Sequence, residues 1–159
     1  MKTPAPRADD IYVEAISPAT TPEPRGWGYL AGQRVLVIDD DADLLNLMRE
    51  AFEEEGAIVS TAVDGLQGLR AFAAEPTDLI VTDIIMPTRE GIETIIELKR
   101  LSPSVKILAI SGGGRINGDD FLELAKSFGA EATLGKPFRL NDLIALAHAI
   151  LSSPPSAPA

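Results

Sequence analysis

The sequence of residues 35–41 is VLVIDDD, a run of four apolar residues that ends in three consecutive aspartates. Two further apolar runs end in a polar side chain in the same way, since LIVTD at 79–83 ends in Asp83 and ILAIS at 107–111 ends in Ser111. Near-continuous apolar runs of this length are typical of parallel strands that are buried on both faces of a sheet. These segments therefore predict the centre of a parallel sheet.

Helical patterns separate the predicted strands along the chain. The strands are predicted at Val35–Ile38, Ile58–Thr61, Asp78–Thr82, Val105–Ile110 and Ala132–Leu134. The apolar stripes of the five helices that follow them are Leu44, Met48, Ala51 and Phe52; Leu66, Leu69 and Ala73; Ile92, Ile95 and Ile96; Phe121, Leu124, Ala125 and Phe128; and Leu140, Leu143, Ile144, Ala147 and Leu151. Repeated strand–helix units predict an α/β fold, a doubly wound parallel sheet with five strands and helices on both faces.

Proline-rich segments flank this pattern. Residues 1–31 contain five prolines among Ala, Thr and Gly, a composition that predicts a largely disordered N-terminal arm. Two apolar pieces of the arm, Ile11–Val13 and Trp27–Leu30, are candidates for local docking, with Trp27 or Tyr29 contacting the domain. Residues 152–159, SSPPSAPA, predict a disordered tail. The folded domain is therefore expected over residues 32–151.

Charge and composition exclude several classes of function. The net charge is −10, from 14 Lys and Arg against 24 Asp and Glu, so a nucleic-acid-binding face is not expected. The absence of cysteine excludes disulfide and thiol chemistry. The longest mostly apolar run, residues 143–151, is far shorter than the roughly 20 residues of a membrane span. We expect a cytoplasmic protein without membrane insertion.

Reactive side chains follow the predicted strands at their carboxyl ends, which meet at one edge of a parallel sheet. Residues 39–41 follow the first strand, Asp83 the third, Ser111 the fourth and Lys136 the fifth. Crowded carboxylates repel one another unless a cation lies among them, and carboxylates with open coordination positions suit Mg²⁺. Carboxylates, a metal, a lysine and a hydroxyl together predict phosphoryl transfer through an aspartyl phosphate.

Four segments in this order resemble the signature segments of the receiver domains of two-component response regulators, of the single-domain chemotaxis-regulator type. They are VLVIDDD at 35–41, LIVTDIIMPTREG at 79–91, ILAISGG at 107–113 and GKPF at 135–138. Their order and spacing match the family over about the whole of residues 33–151. The resemblance implies a flavodoxin-like sheet with strand order 2-1-3-4-5.

The resemblance also implies the roles of the site residues. By position, Asp83 is the phospho-acceptor, and Asp39 and Asp40 bind Mg²⁺ together with Asp83 and the backbone carbonyl of Ile85. Ser111 supplies the switch hydroxyl, and Lys136 binds the phosphoryl group. The resemblance further implies a cis peptide bond between Lys136 and Pro137.

One position departs from the family pattern. Three residues before Lys136 the family often has an aromatic switch residue, where this chain has Thr133. Since Gly112–Gly114 follow Ser111, we expect the phosphorylation signal to pass through this permissive loop and the fourth helix instead.

The predicted function is that of a stand-alone receiver, which is phosphorylated by a histidine kinase or histidine phosphotransfer protein and acts on an unknown protein target. No turnover enzyme is expected. An alternative is a phosphatase of the haloacid-dehalogenase type that uses Asp39 and Asp41, since such enzymes also place D-x-D after the first strand. A flavin-binding protein of the same architecture is disfavoured, because acids after the first strand would repel a flavin phosphate.

Overall fold

The computed structural model describes residues 28–84, 90–112 and 118–153. Strands and helices alternate throughout, as β1 Arg34–Ile38, α1 Ala42–Glu54, β2 Ile58–Ala62, α2 Gly65–Ala74, β3 Leu79–Asp83, α3 Glu90–Leu101, β4 Lys106–Gly112, α4 Gly118–Ser127, β5 Ala132–Lys136 and α5 Leu140–Ser152. The predictions for Trp27, Ile85, Gly113, Gly114 and most of the arm and tail lie outside the described residues.

The five strands form one parallel sheet with the order β2-β1-β3-β4-β5. This arrangement confirms the predicted doubly wound fold and its strand order. The chain passes from β1 to β2 at one edge and then crosses to β3 on the other side of β1. In such sheets the crevice for ligands lies at the carboxyl ends of the two strands where the order reverses, which here are β1 and β3.

Alternate residues of the central strands pack into two separate apolar layers. Val35 and Val37 of β1 belong to a buried cluster with residues of α1 and α5. Leu36 and Ile38 point to the other face and belong to a cluster with residues of α2, α3 and α4. The central strands are thus buried on both faces, which explains their continuous apolar sequences.

The predicted apolar stripe of α2 is confirmed only at Leu69, which is half-buried against the second apolar cluster, whereas Leu66 and Ala73 are exposed. The residues that this helix buries are Gly65, Gly68 and Phe72. Leu66 of the predicted stripe is 55% exposed. The helix approaches the sheet through glycine, because a Cβ built at Gly68 would lie 2.4 Å from Cδ1 of Ile38. A leucine at that contact would hold the helix away from the sheet.

The predicted stripe of α4 is confirmed only in part. Ala125 is fully buried in the second apolar cluster. Leu124 and Phe128 are each 42% exposed, so they lie at the margin of the packed face. In α1, Leu45 is buried together with Met48 and Phe52, while Leu44 of the predicted stripe is only half-buried.

The packed core extends to Leu30, two residues before the predicted start of the domain. Leu30 is 1% exposed and belongs to the apolar cluster between the sheet, α1 and α5. At the other end, α5 continues to Ser152. Among the described residues, no helix combines the length and the apolar character that crossing a membrane would need.

Candidate functional site

Three aspartates meet at the carboxyl ends of β1 and β3. Asp39 follows β1 directly and is fully buried, while Asp83 is the last residue of β3 and is 4% exposed. The two strands are adjacent, with Ile38 paired to Thr82. One carboxylate oxygen from each of Asp39, Asp40 and Asp83 lies within 4.8 Å of the others, a spacing that could hold a metal ion. The strand-end pattern of the sequence thus brings these carboxylates together as predicted.

Asp39 is the most constrained of the three carboxylates. Its Oδ1 accepts a hydrogen bond from the backbone N–H of Asp41 at 2.8 Å, and its Oδ2 lies 3.2 Å from Nζ of Lys136. Burial raises the pKa of Asp39 above its ordinary value, although the N–H of Asp41 and the charge of Lys136 oppose this rise. The neighbouring charge of Asp83 raises the pKa further. The site therefore disfavours the charged form of this buried acid.

Lys136 joins the two buried carboxylates. Its Nζ lies 2.8 Å from Oδ2 of Asp83, in addition to the contact with Asp39. Burial alone would lower the pKa of Lys136, but the hydrogen bond and charge of Asp83, with the charge of Asp39, raise it above its ordinary value. The ammonium group is thus charged at neutral pH. The peptide bond between Lys136 and Pro137 is cis, which confirms that prediction.

Asp41 has a different part in the structure. Its Oδ1 accepts hydrogen bonds from the backbone N–H groups of Asp43 and Leu44, at 3.1 and 3.2 Å, and so caps the N-terminus of α1. Its carboxylate is outside the group formed by Asp39, Asp40 and Asp83. The triple aspartate therefore divides into two potential metal ligands and one helix cap.

Ser111 and Thr133 lie at different distances from the carboxyl edge of the sheet. Ser111 is 1% exposed and follows Ile110, which pairs with Asp83. The same serine pairs with Gly135, the residue before Lys136, so its strand position is beside the site. Thr133 pairs with Ala109 and is half-buried further from the carboxyl edge. Ile85 lies outside the described residues.

Sequence reasoning missed an open groove beside the site. Its volume is about 480 Å³, and its lining residues are Asp41, Asp43, Leu44, Leu47, Lys136, Pro137 and Phe138. Leu47 is 51% exposed on the outer side of α1. The only signal in the sequence was an extra leucine outside the predicted stripe. Its apolar lining residues, Leu44, Leu47, Pro137 and Phe138, lie next to Lys136.

A comparison with protein families matches residues 35–148 of the chain to the response regulator receiver domain. The chain belongs to this family. The match spans all five strands except the first residue of β1, and it includes each of the strand-end residues described above. The resemblance inferred from the four sequence segments is thereby confirmed, and so is the assignment to a signalling domain of two-component systems.

Curated relatives of this receiver domain include proteins of two sizes. The transcriptional regulatory protein CpxR of Klebsiella pneumoniae is 36% identical over 118 residues, which are 74% of this chain and 49% of the relative. The chain therefore spans about half the length of such regulators. The chemotaxis protein CheY of Halobacterium salinarum is 32% identical over 107 residues, which are 67% of this chain and 87% of the relative.

Solved structures of receiver domains share the fold. A response regulator receiver domain protein from Clostridium thermocellum has a TM-score of 0.66 and 32% identity, over 74% of this chain and 94% of the other. A CheY-like receiver domain protein from Methanospirillum hungatei has a TM-score of 0.69 and 27% identity, over 76% and 94%. Both comparisons cover nearly the whole of the related chain, so the similarity extends over a complete receiver domain.

Proposed function

We propose that Asp83 accepts a phosphoryl group from a histidine kinase or a histidine phosphotransfer protein in a Mg²⁺-dependent reaction. The observation that supports this proposal is the position of Lys136, whose Nζ bridges Asp83 and Asp39 at 2.8 and 3.2 Å. The Asp83 carboxylate at the end of a central strand is thus held beside the ammonium group of Lys136 at the carboxyl edge of the sheet. Phosphorylation then changes the contacts of the domain with a protein target.

In the proposed step, a carboxylate oxygen of Asp83 attacks the phosphorus of a phosphohistidine. The new O–P bond forms as the N–P bond breaks, and the imidazole nitrogen leaves with the electron pair. The ammonium group of Lys136 moves from the carboxylates to the phosphoryl oxygens, where negative charge is concentrated. The hydroxyl of Ser111 donates a hydrogen bond to another of these oxygens, because its strand position is next to Asp83.

The residues present fit a magnesium ion. Asp39, Asp40 and Asp83 offer three carboxylates against the single positive charge of Lys136. Hard oxygen donors with open coordination positions are the ligands that Mg²⁺ prefers. We propose that these carboxylates and the backbone carbonyl of Ile85 hold the ion. Bound there, it would neutralise the phosphoryl oxygens during transfer.

The phosphatase alternative is weaker. It would require both Asp39 and Asp41 to face the substrate, but the Asp41 carboxylate caps α1. It would also leave the burial of Asp83 and its bond to Lys136 without a role. A phosphatase releases phosphate in many turnovers, whereas a receiver stops after one phosphoryl group is bound.

The proposal is tested by intact-mass spectrometry after incubation with acetyl phosphate and Mg²⁺. One phosphoryl group should be added to the wild type and none to Asp83→Asn. The matched control is Glu50→Gln, which removes an exposed acid of α1 outside both the carboxylate group and the groove and should be phosphorylated normally. Labelling of Asp83→Asn to the level of the control would refute the assignment, and repeated phosphate release would favour the phosphatase.

The cellular role is likewise a proposal. We propose a stand-alone receiver that acts through protein contacts in the cytoplasm. The stand-alone part is supported by the Halobacterium chemotaxis protein, which this chain covers over 87% of its length. The groove that Leu47 and Phe138 line beside Lys136 is where we expect the phosphoryl donor to approach. Phosphotransfer profiling against the histidine kinases of the source organism would identify the donor, and the native mass and fractionation of the protein would test the rest.

A further inference from the structure

Residues 28–33, which we call the strap, run across the end of α1 that is remote from the site. The backbone N–H of Leu30 donates to the carbonyl of Glu55 at 3.0 Å, and that of Gly32 donates to the carbonyl of Gly56 at 3.1 Å. The backbone N–H of Tyr29 donates to Oε2 of Glu55, also at 3.0 Å. The strap therefore supplies donors to the C-terminal end of α1, where helices have unpaired carbonyl groups.

The backbone of the strap lies in direct contact with the turn after α1. Gly28 has φ +70°, and a Cβ built on it would lie 1.9 Å from the backbone oxygen of Glu55. Gly32 has a similar φ of +79°, but a Cβ built there would meet nothing within 4 Å. The two glycines share a backbone conformation, but only at Gly28 does the close approach of the Glu55 backbone leave no room for a side chain.

The side chains of the strap reach α5 as well. Leu30 is 1% exposed in the cluster that also contains Phe52 of α1 and Ile150 of α5. The ring of Tyr29 meets the ring of His148 edge to face, with 5.5 Å between the centroids. Such aromatic pairs add stability beyond the area that they bury. One short segment thus contacts both helices on this face of the sheet.

The strap lies before residue 35, where the match to the receiver-domain family begins. We propose that the strap is an integral part of the folded domain in this chain. It links the ends of α1 and α5 that are remote from the site. The same two helices begin at the site, since α1 follows Asp41 and α5 follows the segment that contains Lys136. Detaching the strap would therefore cause local unfolding of the layer formed by α1 and α5, while the helices on the other face of the sheet stay folded. This inference is independent of the proposed phosphorylation.

Substitutions of the two glycines in the full chain test the contact. Gly28→Ala and Gly32→Ala introduce the same strain at positive φ, but only the first places a methyl group against Glu55. We expect Gly28→Ala to lower Tm by several degrees more than Gly32→Ala. Hydrogen exchange should then accelerate at the amides of Leu30, Gly32 and Ile58, and not at Ile84, whose N–H is bonded to Ile110 within the site edge of the sheet. Equal Tm values and equal exchange in the two variants would overturn the proposal.

A leucine pair provides a second and independent test. Leu30→Ala removes a buried side chain and should lower Tm by about 10 °C or more, as expected for a cavity in the core of a domain of this size. Leu66→Ala makes the same change at a leucine that is 55% exposed and should leave Tm within about 2 °C. If Leu30→Ala behaves like Leu66→Ala, residues 28–33 are a dispensable part of the arm and the proposal fails.

Discussion

Asp39 is placed in an environment that is unfavourable to its own charge. It is fully buried, it lies beside Asp83, and it shares the cation of Lys136 with that residue. Burial accordingly raises the pKa of Asp39. A buried carboxylate that is costly without a second cation is well suited to bind one, because the metal removes the penalty that burial imposes. The instability and the proposed metal affinity have the same cause.

We therefore predict opposite effects of Asp39→Asn with and without Mg²⁺. The neutral amide keeps an oxygen for the N–H of Asp41 and removes a buried charge, so the metal-free protein should become more stable at neutral pH. Mg²⁺ binds the native state and should raise the Tm of the wild type, but not that of the variant. Thermal unfolding with and without Mg²⁺ measures both effects.

The control for this prediction is Asp43→Asn, at an exposed position in the first turn of α1. This variant should keep the Mg²⁺-induced rise in Tm. If Asp39→Asn also keeps the full rise, Asp39 does not contribute to Mg²⁺ binding and this prediction is wrong.

The sequence predicts much of the site at the level of residues, because the carboxyl ends of parallel strands must meet at one edge. That rule places Asp39, Asp83 and Ser111 together without any knowledge of contacts. It does not predict that Lys136 bridges two carboxylates, since the reach of a flexible side chain depends on the turn that precedes α5. It also does not predict the full burial of Leu30, because a short apolar piece that could dock has no periodic pattern that would indicate how deeply it packs.

Among the secondary-structure elements, α2 shows why periodicity alone can select the wrong face. Leucine dominates a hydrophobic pattern, so Leu66 was predicted to be buried, whereas glycine contributes little to the same pattern. In the structure the helix packs through Gly68 against Ile38, and the large side chain that this close approach buries is Phe72. The signal for the contact face was thus the small residue rather than the large one.

We predict that stability follows the observed face of α2. Phe72 is 4% exposed, so Phe72→Ala should lower the free energy of unfolding by about 3–5 kcal/mol. Leu66→Ala on the exposed face should change it by less than about 0.5 kcal/mol. Urea unfolding of both variants measures the difference. A loss in Leu66→Ala as large as that in Phe72→Ala, or larger, would contradict the packing face that the structure shows.

Among the described residues, a group of polar contacts holds together the end of the sheet that is remote from the site. At the far end, Nζ of Lys99 lies 2.8 Å from Oε1 of Glu131, and Oε2 of Glu131 accepts the N–H of Ile107 at 2.6 Å. Lys106 donates to the carbonyls of Ile150 and Ser153, at 2.8 and 2.6 Å, and so holds the end of α5. These bonds connect α3, β4, the residue before β5 and α5 at the edge of the sheet opposite Asp83.

The position of these contacts, remote from the site, helps to predict where a phosphoryl group at Asp83 changes the structure. The added charge and acceptor oxygens should draw in Ser111 and the backbone that follows it, with the change continuing to the start of α4. Thr133 is too small to fill the space that a moving serine leaves, as an aromatic residue would, and so it should respond little. The far end should also stay unchanged, because the bonds of Glu131 and Lys106 do not depend on the site.

NMR of the amides with and without beryllofluoride and Mg²⁺ tests this prediction across the whole molecule. Beryllofluoride imitates the phosphoryl group, so large shifts are expected across residues 111–120, of which 113–117 lie outside the described residues. The amides of Thr133 and Ile107 should shift little. Asp83→Asn serves as the control and should show none of these changes. Large shifts at Ile107 or Glu131, or changes confined to α2 and α3 with a silent 111–120 segment, would show that the signal leaves by another route.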